Sequence, residues 1–273
     1  MQSWADSLRR HWPEYLMEAA GLGIFMVSAA VVTTLFEYPK SPLHELLPDP
    51  VVRRVLIGIA MGLTAIGIIY SPWGQQSGAH LNPAVTLTFF RLKKIEGIDA
   101  LSYVIAQSVG GVIGLVLASV AIGMAIEHPA VNYVVTVPGN NGPGIAFLAE
   151  ALISFGLMLT VLLVSNHQSL APVTGMFAGC LVATYISLEA PFSGMSMNPA
   201  RTLASALPAD IWTSFWVYLA APPLGMLLAA ELYTHMKGLK QVYCAKLYHH
   251  NNKRCIFRCN YAALAASDDS PPS

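Results

Sequence analysis

Long apolar stretches with few charges dominate the hydrophobic pattern of this chain. A membrane-spanning helix needs about 20 mostly apolar residues, and six segments supply them: residues 14–36, 52–70, 100–126, 144–164, 169–188 and 211–236. Two further apolar pieces, residues 82–90 and 198–207, are too short to cross. Each is predicted to enter the membrane and turn back, which is tolerated only where protein encloses the segment or where it lines a cavity.

The composition agrees with a bilayer environment. Only 11% of the 273 residues are charged and 55% are hydrophobic, whereas soluble domains carry about a quarter charged residues. The 15 basic residues balance the 15 acidic ones, so a nucleic-acid partner is not expected. Arg9 and Arg10 precede an apolar run without a clear cleavage site, which favours a first spanning helix over a secretory signal.

The positive charges predict an orientation. If six spans are drawn, eleven Lys or Arg residues fall on the side of the two termini and three, Lys40, Arg53 and Arg54, on the other side. Positive loops stay in the cytoplasm. Both termini are therefore predicted to be cytoplasmic.

An octapeptide pattern occurs twice. Ser-Gly-x-x-x-Asn-Pro-Ala stands at residues 77–84 and again at 193–200, and the span that opens each half carries a glutamate, Glu18 or Glu150. With three spans per half, about 14–126 and 144–236, the second half must be inverted relative to the first. Such repeats place a functional site near mid-membrane, where discontinuous helices meet.

These residues resemble the aquaporin, or major intrinsic protein, family over about residues 14–236. The resemblance is carried by the doubled Asn-Pro-Ala, the paired glutamates, Gln107, Arg201 and Phe215-Trp216. It implies an all-α membrane fold of six transmembrane helices plus two re-entrant half-helices, with a channel domain at 1–236 and a cytoplasmic tail at 237–273. It also implies a homotetramer in the plasma membrane, without a cofactor or enzymatic activity. The function would be passive passage of water or small uncharged solutes such as glycerol, ammonia or hydrogen peroxide, with exclusion of protons and ions.

The two motifs suggest how a pore would work. Asparagine is a good helix N-cap and proline suits the first helical position, so each motif begins a half-helix with its positive end at the channel centre. Backbone carbonyls are expected to line the pore. The residues predicted for these roles are Asn82, Pro83, Ala84, Asn198, Pro199 and Ala200 in the motifs, and Gly78, Ala79, His80, Gly194, Met195 and Ser196 in the carbonyl row.

Glu18 and Glu150 admit two interpretations. An intramembrane carboxylate can be part of a proton relay. The family resemblance favours acceptance of hydrogen bonds from the backbone of the re-entrant loops, which would otherwise be unsatisfied.

A selectivity filter is predicted from spacing to the motifs. Counting back places Ile186 where water-specific members have histidine, and either Met61 or Gly62 where an aromatic residue is usual. Met195 and Arg201 complete the filter, with snorkelling of Arg201 to the surface as the alternative. Three apolar walls put strict water specificity in doubt, although Thr202, Ala206, Phe215 and Trp216 fit the water-type pattern.

The tail is rich in metal-binding residue types and is expected to lie beyond the pore. Thiolates and imidazoles are zinc ligands, but the spacing of the tail cysteines matches no common zinc motif, and a palmitoylated or free-thiol tail stays open. The candidates are Cys244, His249, His250, Cys255 and Cys259.

Three other functions compete with a channel. A secondary transporter also uses inverted repeats, although the spans offer few acidic groups besides Glu18, Glu150 and Glu189. A non-conducting structural membrane protein is the second alternative. A membrane enzyme is least favoured because no nucleophile and base pair stands within the spans.

Overall fold

The computed structural model describes residues 4–266, the side chains of residues 265 and 266 excepted. The remainder of the predicted tail, residues 267–273, lies outside the described residues. Eleven α-helices are present in the described part: α1 Trp4–Glu37, α2 Pro42–Leu46, α3 Pro50–Tyr70, α4 Pro72–Ser77, α5 Pro83–Arg91, α6 Gly97–Ile122, α7 Gly142–Ser165, α8 Thr174–Ser193, α9 Pro199–Ala209, α10 Phe215–Lys237 and α11 Tyr261–Ala266.

The predicted all-α fold with six spans is confirmed. Six helical segments are long and apolar enough to cross a membrane: Trp4–Glu37, Pro50–Tyr70, Gly97–Ile126, Gly142–Ser165, Ala171–Ser193 and Phe215–Lys237. The short helices α5 and α9 each lie between the second and third spans of their half, as the re-entrant pieces require. Large apolar side chains point outward from all six spans, because lipid is their solvent.

Two predicted helix boundaries differ from the observed ones. The first helix begins at Trp4 and not near residue 14, because its polar first turns, with Arg9 and Arg10, continue the helix beyond the apolar stretch that hydropathy detects. The fifth span extends to Ser193 and not to residue 188, with Glu189 and Pro191 inside its last turns. Hydropathy ends a span where polar residues become frequent, whereas helical hydrogen bonding continues through them.

The helices of each half pack backbone to backbone at glycine. A Cβ atom added to Gly110 would lie 2.1 Å from the carbonyl oxygen of Ala19, and one added to Gly225 would lie 2.2 Å from that of Ala151. Ala19 and Ala151 directly follow the paired glutamates. The same close approach therefore occurs in both halves, and it brings each glutamate next to its re-entrant loop.

Residues 238–260 form no α-helix and pack against the end of the bundle where α10 finishes, which we call the tail side. Val242, Cys244, Ala245, Leu247 and Phe257 belong to the same buried apolar cluster as α5 and α10 residues. The tail is thus part of the folded body, contrary to the expectation that it lies beyond the pore.

Candidate functional site

Two loops of irregular backbone meet in the middle of the bundle. In the loop before α5, Ala79 and Leu81 have φ of 54° and 51°, and in the loop before α9, Met195 and Met197 have φ of 50° and 53°. Non-glycine residues rarely adopt this left-handed region, and each costs about 1–3 kcal/mol where it occurs. Such loops persist only if their surroundings hold them.

Glu18 holds the first loop. It is fully buried, and its carboxylate accepts hydrogen bonds from the Ser77 hydroxyl at 2.7 Å, from the backbone N–H groups of His80 at 3.1 Å and Leu81 at 2.6 Å, and from Gln107 Nε2 at 2.8 Å.

Glu150 makes the corresponding contacts in the second half. Its carboxylate accepts hydrogen bonds from the Ser193 hydroxyl at 2.6 Å and from the backbone N–H groups of Ser196 and Met197, both at 2.7 Å. These bonds are charge-assisted and stronger than neutral ones. They offset the strain in the loops and satisfy backbone donors that no helix or strand pairs.

A pair of tyrosines completes this arrangement, and sequence reasoning missed it. Tyr103 donates its hydroxyl proton to the carbonyl of Ser77 at 2.7 Å, and Tyr218 donates to the carbonyl of Ser193 at 2.5 Å. Both tyrosine side chains are fully buried. Extension of the repeat comparison to the last helix of each half would have aligned the two tyrosines, since each stands seven residues before the packed glycine Gly110 or Gly225.

The two motif asparagines connect the loops to each other. Each side-chain oxygen caps its own half-helix, with Asn82 Oδ1 accepting from the N–H of Ala84 and Asn198 Oδ1 from that of Ala200. Each side-chain nitrogen then donates across, Asn82 Nδ2 to the carbonyl of Met197 and Asn198 Nδ2 to that of Leu81, both at 2.7 Å. An amide nitrogen carries two N–H bonds, so one remains on each asparagine.

A cavity of about 530 Å³ passes both loops. It extends from Glu37 and Arg54, on the side opposite the tail, to Leu247 on the tail side. Helical stripes with three- or four-residue spacing form its walls, and they are almost entirely apolar. They comprise Leu22, Phe25, Ala29 and Thr33 of α1, Ile57, Met61, Ala65 and Ile69 of α3, Leu157, Met158 and Val161 of α7, and Ala178, Val182, Ile186 and Ala190 of α8.

All four predicted filter residues line this cavity: Met61, Ile186, Met195 and Arg201. Of the alternatives Met61 and Gly62, Met61 is the one that lines the cavity. Gly62 packs against α8, where a Cβ atom would lie 2.5 Å from the carbonyl oxygen of Gly179. Met61 therefore faces the cavity, and the Arg201 guanidinium, 3.5 Å from the Ser205 hydroxyl, is the cationic group among these four side chains.

The predicted row of carbonyls is only partly placed on the cavity. Ala79, His80, Gly194, Met195 and Ser196 line it. Gly78 is not among the described lining residues, and its carbonyl accepts a hydrogen bond from the N–H of Leu247 at 3.1 Å. The prediction for Gly78 is corrected accordingly, because the tail covers the start of the loop.

The His80 side chain is held on all sides. Its ring stacks between Phe89 and Phe257, with centroids 5.1 and 5.3 Å away. Nε2 lies 2.8 Å from the carbonyl oxygen of Ala245, which can only accept, so Nε2 carries the proton and Nδ1 accepts from the Thr86 hydroxyl at 3.0 Å. The imidazole is a structural connection between the loop and the tail.

Four of the five predicted tail candidates come together. The donor atoms of Cys244, His249, Cys255 and Cys259 all lie within 4.8 Å of one another. The prediction of His250 as a ligand is wrong, because the imidazole in this group is that of its neighbour His249.

Hydrogen bonds within this group shift its thiols in opposite directions, and those with Cys255 and Cys259 raise the pKa of the Cys244 thiol. Hydrogen bonds from Cys244 and Cys255 lower the pKa of the Cys259 thiol. Burial lowers the pKa of the His249 imidazole, but hydrogen bonds with Cys255 and Cys259 outweigh it and raise that pKa to about 9.

Comparison with known proteins identifies the family. The chain is 39% identical over 190 residues to aquaporin NIP6-1 of Arabidopsis thaliana, an alignment that covers 67% of this chain and 59% of that protein. It is 36% identical over 182 residues to glycerol uptake facilitator protein-like 6 of Lactiplantibacillus plantarum, covering 64% of this chain and 81% of that protein. The chain thus spans about three-fifths of the length of the first of these relatives.

A solved structure shares the fold. The aquaglyceroporin of Plasmodium falciparum superposes with a TM-score of 0.68 at 21% identity, covering 82% of this chain and 95% of that one. The sequence model described as Major intrinsic protein matches residues 5–233, which include both Asn-Pro-Ala loops and the glutamates and tyrosines that hold them. This chain, an integral multi-pass membrane protein, belongs to the major intrinsic protein family.

Proposed function

We propose that the protein is a passive channel for water and small uncharged solutes. The observation that carries the proposal is the cavity that passes both Asn-Pro-Ala loops and continues from Glu37 and Arg54 to Leu247. Its walls offer few polar groups and no cluster of carboxylates among the described residues that could coordinate a coupling ion. Solutes would move down their own gradients.

Exclusion of ions and protons follows from the centre of this pore. The N-termini of α5 and α9 meet there, and each carries a partial positive charge of about half an elementary unit. The free N–H of Asn82 and of Asn198 can donate to one permeating oxygen. A water oxygen that accepts from both directs its protons away from the centre, which interrupts a chain of proton transfer. In aquaporin-type channels, selectivity depends on pore diameter, lining donors and these dipoles.

The filter determines which solutes pass. Met61, Ile186 and Met195 present apolar walls, and Arg201 is the charged donor. An apolar wall does not replace hydrogen bonds that water loses, whereas it tolerates the carbon backbone of a polyol. We propose that the pore admits glycerol, ammonia or hydrogen peroxide in addition to water. The glycerol-facilitator name of one relative supports this.

The remaining features of the proposal concern the setting of the channel. The excess of Lys and Arg on the tail side supports cytoplasmic termini. Membership of the family supports a homotetramer in the plasma membrane. Protease access to the tail in inside-out vesicles tests the orientation, and native mass spectrometry tests the oligomeric state.

Stopped-flow light scattering on proteoliposomes tests the function. Permeabilities to water, glycerol, urea, ammonia and hydrogen peroxide are compared with those of empty vesicles. Val182→Trp, which fills the cavity, should abolish the added permeability, whereas Leu117→Trp, on the lipid-facing side of α6, should not. Flux that requires a proton or sodium gradient would favour a transporter, and permeability equal to that of empty vesicles would favour a structural protein.

A further inference from the structure

The tail gathers four metal-binding side chains at one point. Cys244 Sγ lies 3.6 Å from Cys255 Sγ, and Cys259 Sγ lies 3.0 Å from His249 Nε2. In a tetrahedral zinc site with Zn–S bonds of about 2.3 Å, neighbouring sulfurs are about 3.8 Å apart. Since all four donor atoms lie within 4.8 Å of one another, shifts of less than about 1 Å bring them to tetrahedral spacing.

We propose that Cys244, His249, Cys255 and Cys259 bind one Zn²⁺ ion in a closed Cys₃His site. Three thiolates and an imidazole are a donor set that zinc takes in structural sites. The ligand spacing is Cys-x₄-His-x₅-Cys-x₃-Cys, and His249 is the ligand that the cysteine spacing alone conceals.

A disulfide explains these positions less well. The Cys244 and Cys255 sulfurs are 3.6 Å apart, against about 2.05 Å in a disulfide bond. A disulfide would also leave Cys259 and His249 without a role. Thiol groups alone form only weak hydrogen bonds, which are poor compensation for placing three of them together with Cys244 fully enclosed.

The surroundings match the charge of such a site. Zn²⁺ with three thiolates has one net negative charge, and the ammonium groups of Lys94 and Lys246 interact electrostatically with the tail cysteines. Lys246 is itself buried, and its ammonium donates to the carbonyls of Lys253 and Arg254, at 3.3 and 2.8 Å, just before Cys255.

Contacts outside the donor atoms orient the ligands. The His249 ring stacks on Tyr261 with centroids 4.3 Å apart, and the N–H of Tyr261 donates to Cys259 Sγ at 3.5 Å. Partners of this kind are a regular part of metal sites. Because four protein donors close the coordination shell, the ion has a structural role and no open position for catalysis.

The proposed ion explains how an irregular segment keeps one conformation. Residues 238–260 contain only one short 3₁₀ turn, so helical hydrogen bonds do not order them. Metal binding supplies folding free energy to small segments of this kind. Two residues that lie between ligands in the sequence contact the channel. Leu247 donates its N–H to the carbonyl of Gly78 and lines the cavity, and Phe257 stacks on His80. The ion would therefore fasten the tail to the tail-side mouth of the cavity.

Metal analysis of the purified full chain tests the proposal. Protein prepared without chelators is measured by inductively coupled plasma mass spectrometry. We expect one zinc ion per chain in the wild type and in His250→Asn, the matched control with the neighbouring histidine. His249→Asn and Cys259→Ser should lose the zinc ion on dialysis against a chelator. Their zinc affinity should fall by more than the roughly 10–100-fold that is typical when a residue outside the coordination shell is replaced. Absence of zinc from the wild type, or iron in its place, would overturn the assignment.

Cobalt substitution keeps the proposal testable if a variant fails to fold. Co²⁺ added to metal-depleted wild type should give thiolate-to-metal charge-transfer bands and the intense visible bands of tetrahedral cobalt, and Zn²⁺ should displace them. No such spectrum, or a Cys244–Cys255 disulfide found by mass spectrometry of freshly isolated protein, would refute the site.

Hydrogen exchange tests the fastening. Chelation should remove the protection of the Leu247 N–H in the wild type and in His250→Asn alike. Protection that survives complete metal loss would show that the ion does not hold the tail at the mouth.

Discussion

Replacement of Glu150 by glutamine should destabilise the protein far more than the same replacement at Glu189. Glu150 accepts three hydrogen bonds, two of them from backbone N–H groups of the strained loop. In Glu150, one carboxylate oxygen accepts from Ser193 and Ser196 and the other accepts from Met197. Glutamine has an NH₂ group in place of one oxygen, and that group cannot accept a hydrogen bond from the donors that face it. The best arrangement keeps the Ser193 and Ser196 bonds and loses that of Met197.

The magnitude follows from the lost contacts. A hydrogen bond to a charged group contributes about 1.5–3 kcal/mol, and a buried N–H without an acceptor costs about 1–3 kcal/mol. The sum is about 2.5–6 kcal/mol, against a total stability of about 5–15 kcal/mol for typical proteins. Loss of the buried charge acts in the opposite direction. Glu189→Gln is the matched control, a buried glutamate near the same loop whose carboxylate oxygens have no hydrogen-bond partner among the described residues.

The assay is the temperature at which half of the protein leaves the monodisperse peak after heating in detergent. At roughly 2–4 °C per kcal/mol, Glu150→Gln should lower this temperature by on the order of 10 °C, whereas Glu189→Gln should leave it unchanged or raise it. Proteoliposomes with Glu150→Gln should also lose water permeability as the second loop relaxes. Equal midpoints for the two variants would refute the view that Glu150 holds the loop.

Three further outcomes are expected. Arg201→Ala should fold and should raise proton and cation leak in sealed vesicles containing a pH-sensitive dye, because it removes the fixed cation of the filter; a leak equal to that of the wild type would contradict the filter assignment. Ile186→His should raise the ratio of water to glycerol permeability, since an imidazole replaces hydrogen bonds worth about 1–3 kcal/mol each and narrows the passage; an unchanged or lower ratio would mean that this position does not control passage. Tyr218→Phe and Tyr103→Phe should each cost about 1 kcal/mol in thermal stability, and a large difference between them would argue against equivalent roles in the two halves.

The repeat made most of the central site predictable from sequence. Two Asn-Pro-Ala motifs imply two capped half-helices, and a glutamate at the same point of each half implies a common partner, because local rules for caps and unsatisfied backbone apply wherever the chain lies. Both carboxylates contact the loops in the structure. The cross-loop bonds of Asn82 and Asn198 were not predictable, since they depend on the distance between two loops more than 100 residues apart.

The tail shows the opposite limit. Its cysteines are visible in the sequence, but their spacing does not reveal that His249 lies among them and His250 does not. Which of two adjacent rings points inward depends on how residues 238–260 pack against Gly78, His80 and Lys94. No helical or strand period governs that segment, so pattern reasoning has nothing to work with.

The crossed amides also have a consequence for biogenesis. Asn82 enters the membrane with the first half of the chain, but the carbonyl that accepts its N–H belongs to Met197, which is synthesised 115 residues later. Until then Asn82 Oδ1 caps the first half-helix, but the Asn82 side-chain N–H lacks its carbonyl acceptor, and Glu18 alone holds the loop. Neither half can therefore complete the hydrogen bonds of its own motif asparagine before the other half is in place.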